Sequence, residues 1–280
     1  MVLSAPSNGS RLDELRSHVL SLESAIVCFS GGIDSALVLA VANEQLKDRA
    51  VGLTAVSASL GEGERAEAER LARGLRAQVE FVETRELENP LYARNADDRC
   101  YHCKTELYEI AEQKRLEHGL KFIVNGTNSD DIGDYRPGLA AAKNVNVRSP
   151  LLELGLSKSD VRAAALEMGL DIWDKPAAAC LASRIPYGTT VTRERLEQID
   201  RFECGLKELG FRQVRVRWHD QIARIEVAIT ELELVLQAHN REHIVALGRD
   251  NGFHFITLDL AGYRTGSHNE LLKGKNLKLL

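Results

Sequence analysis

Residues 30–35, with the sequence SGGIDS, could hold the phosphates of a nucleotide. Two glycines let the backbone come close to a phosphate, and the N–H groups of a following helix would point at it with the helix dipole behind them. The two serines add hydroxyl donors, whereas Asp34 fits beside an anion only with a Mg²⁺ ion between them. The alternative is a tight strand-to-helix turn without a ligand. The candidate phosphate-binding residues are Ser30, Gly31, Gly32, Asp34 and Ser35.

A second loop, residues 126–131 (GTNSDD), follows another apolar run and could complete the same site. Gly126 would let the backbone pass close to the nucleotide, and Asp130 or Asp131 could help to hold Mg²⁺. Loops that follow parallel strands lie at one edge of the sheet, where such sheets bind ligands. An Asx-rich turn with solvated carboxylates is the alternative.

Three of the five cysteines stand in patterns that could carry sulfur or metal chemistry. Cys100 and Cys103 have CxxC spacing just before a predicted helix, and Cys180 lies in the sequence ACLASR. A redox pair, half of a zinc site and iron–sulfur ligation all remain open at this spacing. Three thiolates on a 4Fe–4S cluster would leave one iron open for an extra sulfide. We expect Cys28 and Cys204 to be small apolar fillers.

Arg215 and Arg217 alternate with valines, so both guanidinium groups are expected on one face of a strand. Two forked donors on one face can hold a phosphate or a carboxylate. A solvated strand face paired with Glu226 on a neighbouring strand is the alternative.

Two groups of elements must position these residues. Up to about residue 190, short apolar runs alternate with helical patterns, which indicates a doubly wound, parallel α/β sheet. From about residue 192, strands alternate polar and apolar residues, which predicts a small α+β unit whose sheet has one wet face. We therefore predict domains at 1–190 and 191–280. The predicted strands are 24–29, 51–56, 79–82, 121–125, 212–218, 222–229 and 253–258, and the predicted helices are 35–42, 62–76, 104–117, 157–168, 193–209 and 231–247.

The composition excludes several classes of protein. The 280 residues are 44% hydrophobic and 28% charged, with a net charge of −5. The apolar runs are shorter than the roughly 20 residues of a membrane helix, and the N-terminus lacks the core of a signal peptide. We therefore expect a cytoplasmic protein with no membrane partner. Residues 193–280 hold 14 basic and 13 acidic residues, so a nucleic-acid partner is not expected either.

Taken together, these motifs resemble a known family. Residues 30–35 match the SGGxDS loop of the PP-loop ATP pyrophosphatases, and the wider chain resembles the LarE family of ATP-dependent sulfur transferases within that group. The resemblance rests on SGGIDS and on four further stretches, namely RCYHCK at 99–104, PAAACLASR at 176–184, VRVR at 214–217 and DLAGYRTGS at 259–267.

The resemblance implies an activity and roles for the candidate residues. The enzyme would use Mg²⁺–ATP to adenylate the ring carboxylates of a pyridinium dicarboxylate mononucleotide and convert them to thiocarboxylates, in the synthesis of the nickel-pincer nucleotide of lactate racemase. Arg215 and Arg217 would bind the substrate phosphate or the acyl-phosphate charge, and Arg184 would line the same pocket. Asp34 would assist the metal. A homo-oligomer, a hexamer in the family, is also implied.

The family has two modes of sulfur delivery. In one, a cysteine at the Cys180 position attacks the acyl-adenylate, loses its own sulfur and becomes dehydroalanine. In the other, cysteines at the positions of Cys100, Cys103 and Cys180 hold a 4Fe–4S cluster with a transferable sulfide that an external sulfide donor reloads. Since this chain has all three, the cluster mode is favoured.

Two other classes of function remain as alternatives. Another PP-loop enzyme could be a tRNA thiolase, for which the acidic chain lacks the electrostatic footprint, or an amide ligase of the NAD- or GMP-synthetase kind, which has no use for three such thiols. An iron–sulfur or nucleotide-binding regulator without turnover is the second alternative.

Overall fold

The computed structural model of the protein describes residues 10–133, 138–175 and 179–264. Parts of two motifs, residues 176–178 and 265–267, lie outside the described residues. The strands are β1 Ala25–Cys28, β2 Ala50–Val56, β3 Val79–Glu83, β4 Phe122–Val124, β5 Val214–His219, β6 Ile222–Val227 and β7 Phe255–Leu258. The helices are α1 Arg11–Ser21, α2 Ile33–Leu46, α3 Glu62–Gly74, α4 Pro90–Ala93, α5 Arg99–Glu117, α6 Gly138–Asn144, α7 Pro150–Glu153, α8 Lys158–Glu167, α9 Arg193–Glu208, α10 Leu232–Leu236 and α11 Ala238–Asp250.

The chain divides into two compact units, and neither is continuous in sequence. Within the described residues, the first unit holds the chain up to Ser57, Glu64–Glu86 and the chain from Asp98 to residue 175. The second holds Ala58–Gly63, Leu87–Asp97 and the chain from Ala179 onward. Domains at 1–190 and 191–280 remain a prediction.

The first unit is built on a parallel sheet with the strand order β3-β2-β1-β4. Every pairing in it is parallel, with Ala25 of β1 opposite Ala50 on one side and Phe122 on the other. The chain moves outward from β1 to β3 and then returns to β4 on the far side of β1. The strand order therefore reverses at β1, and parallel sheets bind ligands in the crevice at such a point. The predicted parallel α/β sheet is confirmed.

Helices cover both faces of this sheet, because the strands are apolar on both sides. On β1, Ala25 and Val27 pack in a core with α1, α2 and α8, whereas Ile26 and Cys28 pack in a second core with α5 and α6. Helix α2 is buried along nearly its whole length. It therefore holds the loop that precedes it in a fixed place on the sheet.

The second unit contains a smaller sheet with the strand order β5-β6-β7. Strands β5 and β6 are antiparallel and β6 and β7 are parallel, so the sheet is mixed. The expected wet face is wrong for β5, which is buried at every position except His219. The buried polar positions of this strand are Arg215 and Arg217, and Arg217 pairs with the buried Glu226. Alternation of polar and apolar residues therefore did not mean exposure.

Several predicted helices have different bounds in the structure, among them α2, which was predicted for 35–42 and spans Ile33–Leu46. Helix α5 begins at Arg99 rather than near residue 104, so the CxxC pair lies inside its first turns and not before it. The helix predicted for 231–247 is two helices, α10 and α11, because Gln237 between them is extended (φ −58°, ψ 135°). Within the described residues, no helix is both long and apolar enough to cross a membrane.

Glu153 at the end of α7 makes a pH-sensitive contact in the first unit. Its carboxylate accepts hydrogen bonds from Arg148 Nε at 2.9 Å, from the N–H of Ser149 at 2.8 Å and lies 2.8 Å from His18 Nε2. The Arg148 guanidinium, more than any other neighbour, lowers the pKa of Glu153 from about 4.5 to about 2.

A lowered folded-state pKa stabilises the protein above the unfolded value and loses that effect as the pH falls. We expect Glu153→Gln to lower the free energy of unfolding at pH 7 by about 2 kcal/mol, after allowing for partial exposure of the pair. The difference between wild type and variant should shrink between pH 4.5 and pH 2, as measured by urea unfolding. Glu14→Gln, which removes an exposed ion pair with Arg11, is the control. A pH-independent difference would contradict this account.

Candidate active site

The loop at residues 30–35 follows β1 and is held by its own serines. Ser35 Oγ accepts from the N–H of Ser30 at 3.1 Å and donates to the carbonyl oxygen of Gly32 at 3.0 Å. The two serine hydroxyls lie 3.1 Å apart. Ser35 is buried and Ser30 is exposed, so the buried serine shapes the loop and the exposed one can turn to a ligand.

The N-terminus of α2 is available to an anion. Its N-cap is Gly32, and no side chain caps the first turn within the described residues. Gly31 has a φ of +74°, a conformation that other residues rarely adopt, and a Cβ there would lie 3.0 Å from Cβ of Ala68. Uncapped N–H groups at the start of a 14-residue helix form a ready anion site.

Gly126, after β4, is brought directly against this loop. A Cβ on Gly126 would lie 2.6 Å from the backbone nitrogen of Ser35 and 2.8 Å from the carbonyl carbon of Asp34. Only a glycine allows the two backbones to approach this closely. The predicted meeting of the two loops at one edge of the sheet is therefore what the structure shows.

Asp34 is bound on both carboxylate oxygens. Oδ1 accepts from Nδ2 of Asn128 at 2.9 Å, and Oδ2 lies 2.5 Å from Nζ of Lys158. Sequence reasoning missed Lys158, although a signal was present. A lysine in the first turn of a helix opposes the helix dipole, and Ser157 marks that start through its capping box with Asp160. A cation there indicates a nearby negative partner.

The two aspartates of the second loop, Asp130 and Asp131, serve local structure. Asp130 Oδ2 accepts from the N–H of Lys158 at 2.9 Å, and Asp131 Oδ2 accepts from the N–H of Asn128 at 3.0 Å. These contacts hold the Asp34 partners in place. A metal role for Asp130 or Asp131 remains a prediction, as does the metal role of Asp34.

Cys100 and Cys103 lie one turn apart on α5 in the first unit. Cys100 is exposed and Cys103 is half-buried. Burial would lower the pKa of the neighbouring Lys104, but Tyr108 and the nearby cysteines raise it on balance, so this side chain stays an ammonium. Lys104 therefore carries a positive charge close to both thiols.

The remaining thiols differ from these. Burial in β1 raises the pKa of Cys28 to about 11, which makes it a thiol at neutral pH and fits the predicted role as a filler. Cys204 is half-buried on α9, with Sγ 3.8 Å from Oδ1 of Asp200. Burial, and then Asp200, raises the pKa of Cys204.

Cys180 lies in the second unit with an exposed side chain and an anchored backbone. Nη1 of Arg184 donates to the carbonyl oxygens of Ala179 at 2.6 Å and of Cys180 at 3.1 Å. The N–H of Leu181 donates to the carbonyl oxygen of Ser59 at 2.9 Å. The chain is therefore held on both sides of Cys180.

Arg184 is itself fixed by a buried ion pair with Glu203 of α9. Nε and Nη2 lie 2.8 and 2.9 Å from the two oxygens of Glu203, and each side chain is 4% exposed. Burial would raise the pKa of Glu203, but Arg184 lowers it on balance. Glu203 also accepts from the N–H of Val216 at 2.8 Å. A contact of Arg184 with substrate remains a prediction, and the role of Glu203 was missed because its partner is 19 residues away.

Arg215 and Arg217 are both 7% exposed, so the solvated face considered as the alternative is wrong, although its ion pair with Glu226 exists. Arg217 Nη2 lies 2.7 Å from Glu226, and its Nη1 donates to the carbonyl oxygen of Ser183 at 3.0 Å. Arg215 lies over the ring of Tyr263 at 5.3 Å. Burial, and then the nearby charge of Arg184, lowers the pKa of Arg215.

Guanidinium groups and carboxylates lie close together in this described part of the second unit. Four guanidinium groups meet three carboxylates, in a chain of contacts that ends at the ion pair between Arg224 and Asp259. The cluster consists of Arg184, Arg215, Arg217 and Arg224 with Glu203, Glu226 and Asp259. Guanidinium groups that buried carboxylates hold in place are suitable partners for a substrate phosphate or carboxylate.

The three predicted cluster ligands do not all belong to one unit. Cys100 and Cys103 belong to the first unit and Cys180 to the second. Among the described residues, no three His, Cys, Asp or Glu side chains are grouped to hold a metal. The donor chemistry nevertheless fits iron, since two of the three thiols are exposed and all five cysteines are unbridged thiols.

Comparison with known proteins gives two kinds of match. The family model described as asparagine synthase matches residues 13–132. The pyridinium-3,5-bisthiocarboxylic acid mononucleotide synthase of Lactiplantibacillus plantarum is 37% identical over 254 residues, which are 90% of this chain and 91% of that protein. An uncharacterized protein of Synechocystis sp. PCC 6803 is 42% identical over 263 residues, 94% of this chain and 98% of that protein.

Proposed function

Because the chain belongs to the LarE family of ATP-dependent sulfur transferases, in the PP-loop superfamily, we propose that it converts the ring carboxylates of a pyridinium dicarboxylate mononucleotide to thiocarboxylates. The observation that carries this proposal is the meeting of the uncapped α2 N-terminus with Gly126 and Lys158 at the edge of the parallel sheet. This arrangement suits a triphosphate, and the family supplies the substrate class.

The first step is adenylation. A substrate carboxylate oxygen attacks the α-phosphorus of ATP, a new P–O bond forms, and the bond to the β-phosphate oxygen breaks so that pyrophosphate leaves. The N–H groups of α2 stabilise the charge that builds on the α-phosphate. Lys158 lies beside Asp34 and supplies positive charge for the departing pyrophosphate.

Mg²⁺ fits this site through its donor chemistry. A carboxylate, Asp34, lies at the phosphate-binding loop, and carboxylate and phosphate oxygens are the ligands that Mg²⁺ prefers. When bound, the ion would neutralise phosphate charge. Asp34 would hold the ion, while Asn128 and Lys158 keep the Asp34 carboxylate in place.

The arginine cluster in the second unit recognises the substrate. Arg215 and Arg217 would bind the mononucleotide phosphate or a ring carboxylate, with Arg184 next to them. Their enclosure by Glu203 and Glu226 keeps the guanidinium groups in one arrangement before the substrate arrives.

Sulfur then replaces AMP on the activated carbonyl carbon. We propose that Cys100, Cys103 and Cys180 hold a 4Fe–4S cluster, which when bound would supply the sulfide. The exposure of Cys180 and its anchored backbone also suit the other family mode. In that mode the Cys180 sulfur displaces AMP, and loss of the Cα proton then breaks the Cβ–Sγ bond, leaving a thiocarboxylate and dehydroalanine.

The proposed function is tested with substrate whose carboxylates carry ¹⁸O. With Mg²⁺–ATP and sulfide, we expect pyrophosphate release, thiocarboxylate formation and transfer of one ¹⁸O into AMP for each sulfur inserted, because the attacking oxygen leaves with AMP. Absence of label in AMP would contradict carboxylate adenylation. Salt-sensitive retention of tRNA by the protein on a filter would favour a tRNA thiolase. Pyrophosphate release that depends on ammonia would favour an amide ligase.

The cluster is tested separately, by the iron and labile sulfide content of anaerobically purified protein. We expect both in the wild type and their loss in Cys100→Ala, because one of three thiolate ligands is removed. Cys204→Ala is the matched control and should retain both. Iron-free wild-type protein whose mass falls by one H₂S after the reaction would establish the sacrificial mode instead. Size-exclusion chromatography of the same sample tests the homo-oligomer that the family implies.

A further inference from the structure

Lys175 contacts the proposed phosphate-binding loop, residues 30–35, although it belongs to neither of the two loops that predicted the nucleotide site. Its Nζ donates to the carbonyl oxygen of Gly31 at 3.3 Å, and its side chain is only 12% exposed. The lysine follows α8 and is 144 residues from Gly31 in sequence. All the residues of this contact belong to the first unit.

Two glutamates on α3 fix the ammonium group. Nζ of Lys175 lies 2.9 Å from Glu64 and 2.8 Å from Glu67. An ammonium has three N–H donors, and the two carboxylates and the Gly31 carbonyl account for all of them. Burial would lower the pKa of Lys175, but Glu64 and Glu67 raise it on balance, so the group stays charged.

The contact determines which way one peptide of the loop faces. The carbonyl of Gly31 and the N–H of Gly32 belong to the same planar trans peptide and point in opposite directions. Two adjacent glycines leave this peptide free to rotate, so local sequence does not select its orientation. Because Lys175 holds the carbonyl, the Gly32 N–H faces the other side. There it donates to Ser30 Oγ in a long hydrogen bond of 3.4 Å. A phosphate oxygen can replace so long a contact.

We propose that Lys175 is a positioning residue for ATP, which holds the Gly31 carbonyl so that the Gly32 N–H is presented to the triphosphate. Glu64 and Glu67 act through Lys175 and do not touch the nucleotide. This inference rests on the proposed ATP site. It adds a residue, and a reason for the two glutamates, that neither the SGGIDS motif nor the second loop contains.

The test compares the dissociation constants of ATP and adenosine, measured by isothermal titration calorimetry. We expect Lys175→Met to raise the dissociation constant of ATP about ten- to a hundredfold, because a charged hydrogen bond that orients a donor is lost. Adenosine binding should not change, because only the phosphate contact depends on Lys175. Lys175→Arg, which can still donate to the carbonyl, should recover most of the ATP affinity. Equal loss of ATP and adenosine affinity would indicate general unfolding and overturn the inference, as would unchanged ATP binding.

A second variant separates positioning from direct contact with phosphate. If Lys175 works by positioning, Glu64→Gln with Glu67→Gln releases it and lowers ATP affinity. If its ammonium instead binds phosphate directly, the same change frees it and ATP affinity rises, which would overturn the inference. Glu69→Gln, on the same helix but paired with Arg65, is the control and should have no effect. Failure of the wild type to bind ATP would reject the proposed function itself, whereas wild-type binding with normal binding by Lys175→Met rejects only this inference.

Discussion

Replacing Gly126 with alanine is expected to abolish ATP binding while leaving most of the fold intact. The new Cβ would lie within 2.9 Å of three backbone atoms of Asp34 and Ser35, and backbone at the first turn of a buried helix cannot move aside as a flexible side chain could. We expect the dissociation constant of ATP to rise at least about a hundredfold and the free energy of unfolding to fall by about 1–3 kcal/mol, the usual cost of overpacking.

The matched control is Gly74→Ala at the end of α3. A Cβ there meets no atom within 4 Å, and the position has no positive φ, so the same chemical change costs nothing sterically. Calorimetric titration with ATP and urea unfolding would be measured on both variants. Wild-type ATP affinity in Gly126→Ala would mean that the contact between the two loops is not part of the nucleotide site.

Arg184→Ala should lower both the free energy of unfolding and the rate of sulfur transfer, and this is the second large effect that we expect. It leaves Glu203 buried without its bidentate partner, which costs about 3–5 kcal/mol in comparable sites. It also removes the donor to the carbonyl oxygens of Ala179 and Cys180. We expect the rate of thiocarboxylate formation to fall about a hundredfold, because displacement of a reacting group by an ångström has effects of this size. The dissociation constant of ATP should stay the same, since the phosphate-binding loop belongs to the other unit.

A double variant separates the loss of stability from the loss of position. Arg184→Met with Glu203→Met removes both charges, and apolar replacement of a buried pair recovers much of the stability lost in the single variant. The hydrogen bonds from Arg184 to the carbonyl oxygens of Ala179 and Cys180 are still absent, so sulfur transfer should remain slow. Recovery of the rate together with the stability would contradict a positioning role. Arg201→Ala, whose side chain donates to Asn251 on the surface of the same unit, is the control.

Local patterns predicted most of the fold because the strands of the first unit are apolar on both faces. A run such as residues 24–29 can only be buried on both sides, which requires helices on both faces and parallel pairing. The same logic failed for β5, where alternation normally indicates one wet face. Arg215 and Arg217 are buried there because carboxylates distant in sequence, such as Glu226, neutralise them.

The site divides in a similar way. The tight turn at residues 30–35 was predictable from six consecutive residues, because two glycines between an apolar strand and a helix favour a turn that presents backbone N–H groups. Lys158, Lys175 and Glu203 were not, since each acts through a partner between 13 and 144 residues away. Lys158 carried only the weak signal of a cation in the first turn of a helix, and Lys175 and Glu203 carried none. Their roles become visible only when the fold brings each one to its partner.

The sequence alone determined the parallel sheet and the place of the SGGIDS loop at its edge, and the choice of three cysteines from five stays a prediction. These follow from short-range periodicity and from residue types whose chemistry is narrow. The tertiary structure decided which charges are buried together, that Gly126 lies against the backbone of Ser35, and that Arg184 anchors the chain at Cys180. Such contacts depend on packing between distant segments, and a chain can only encode them through the complete fold.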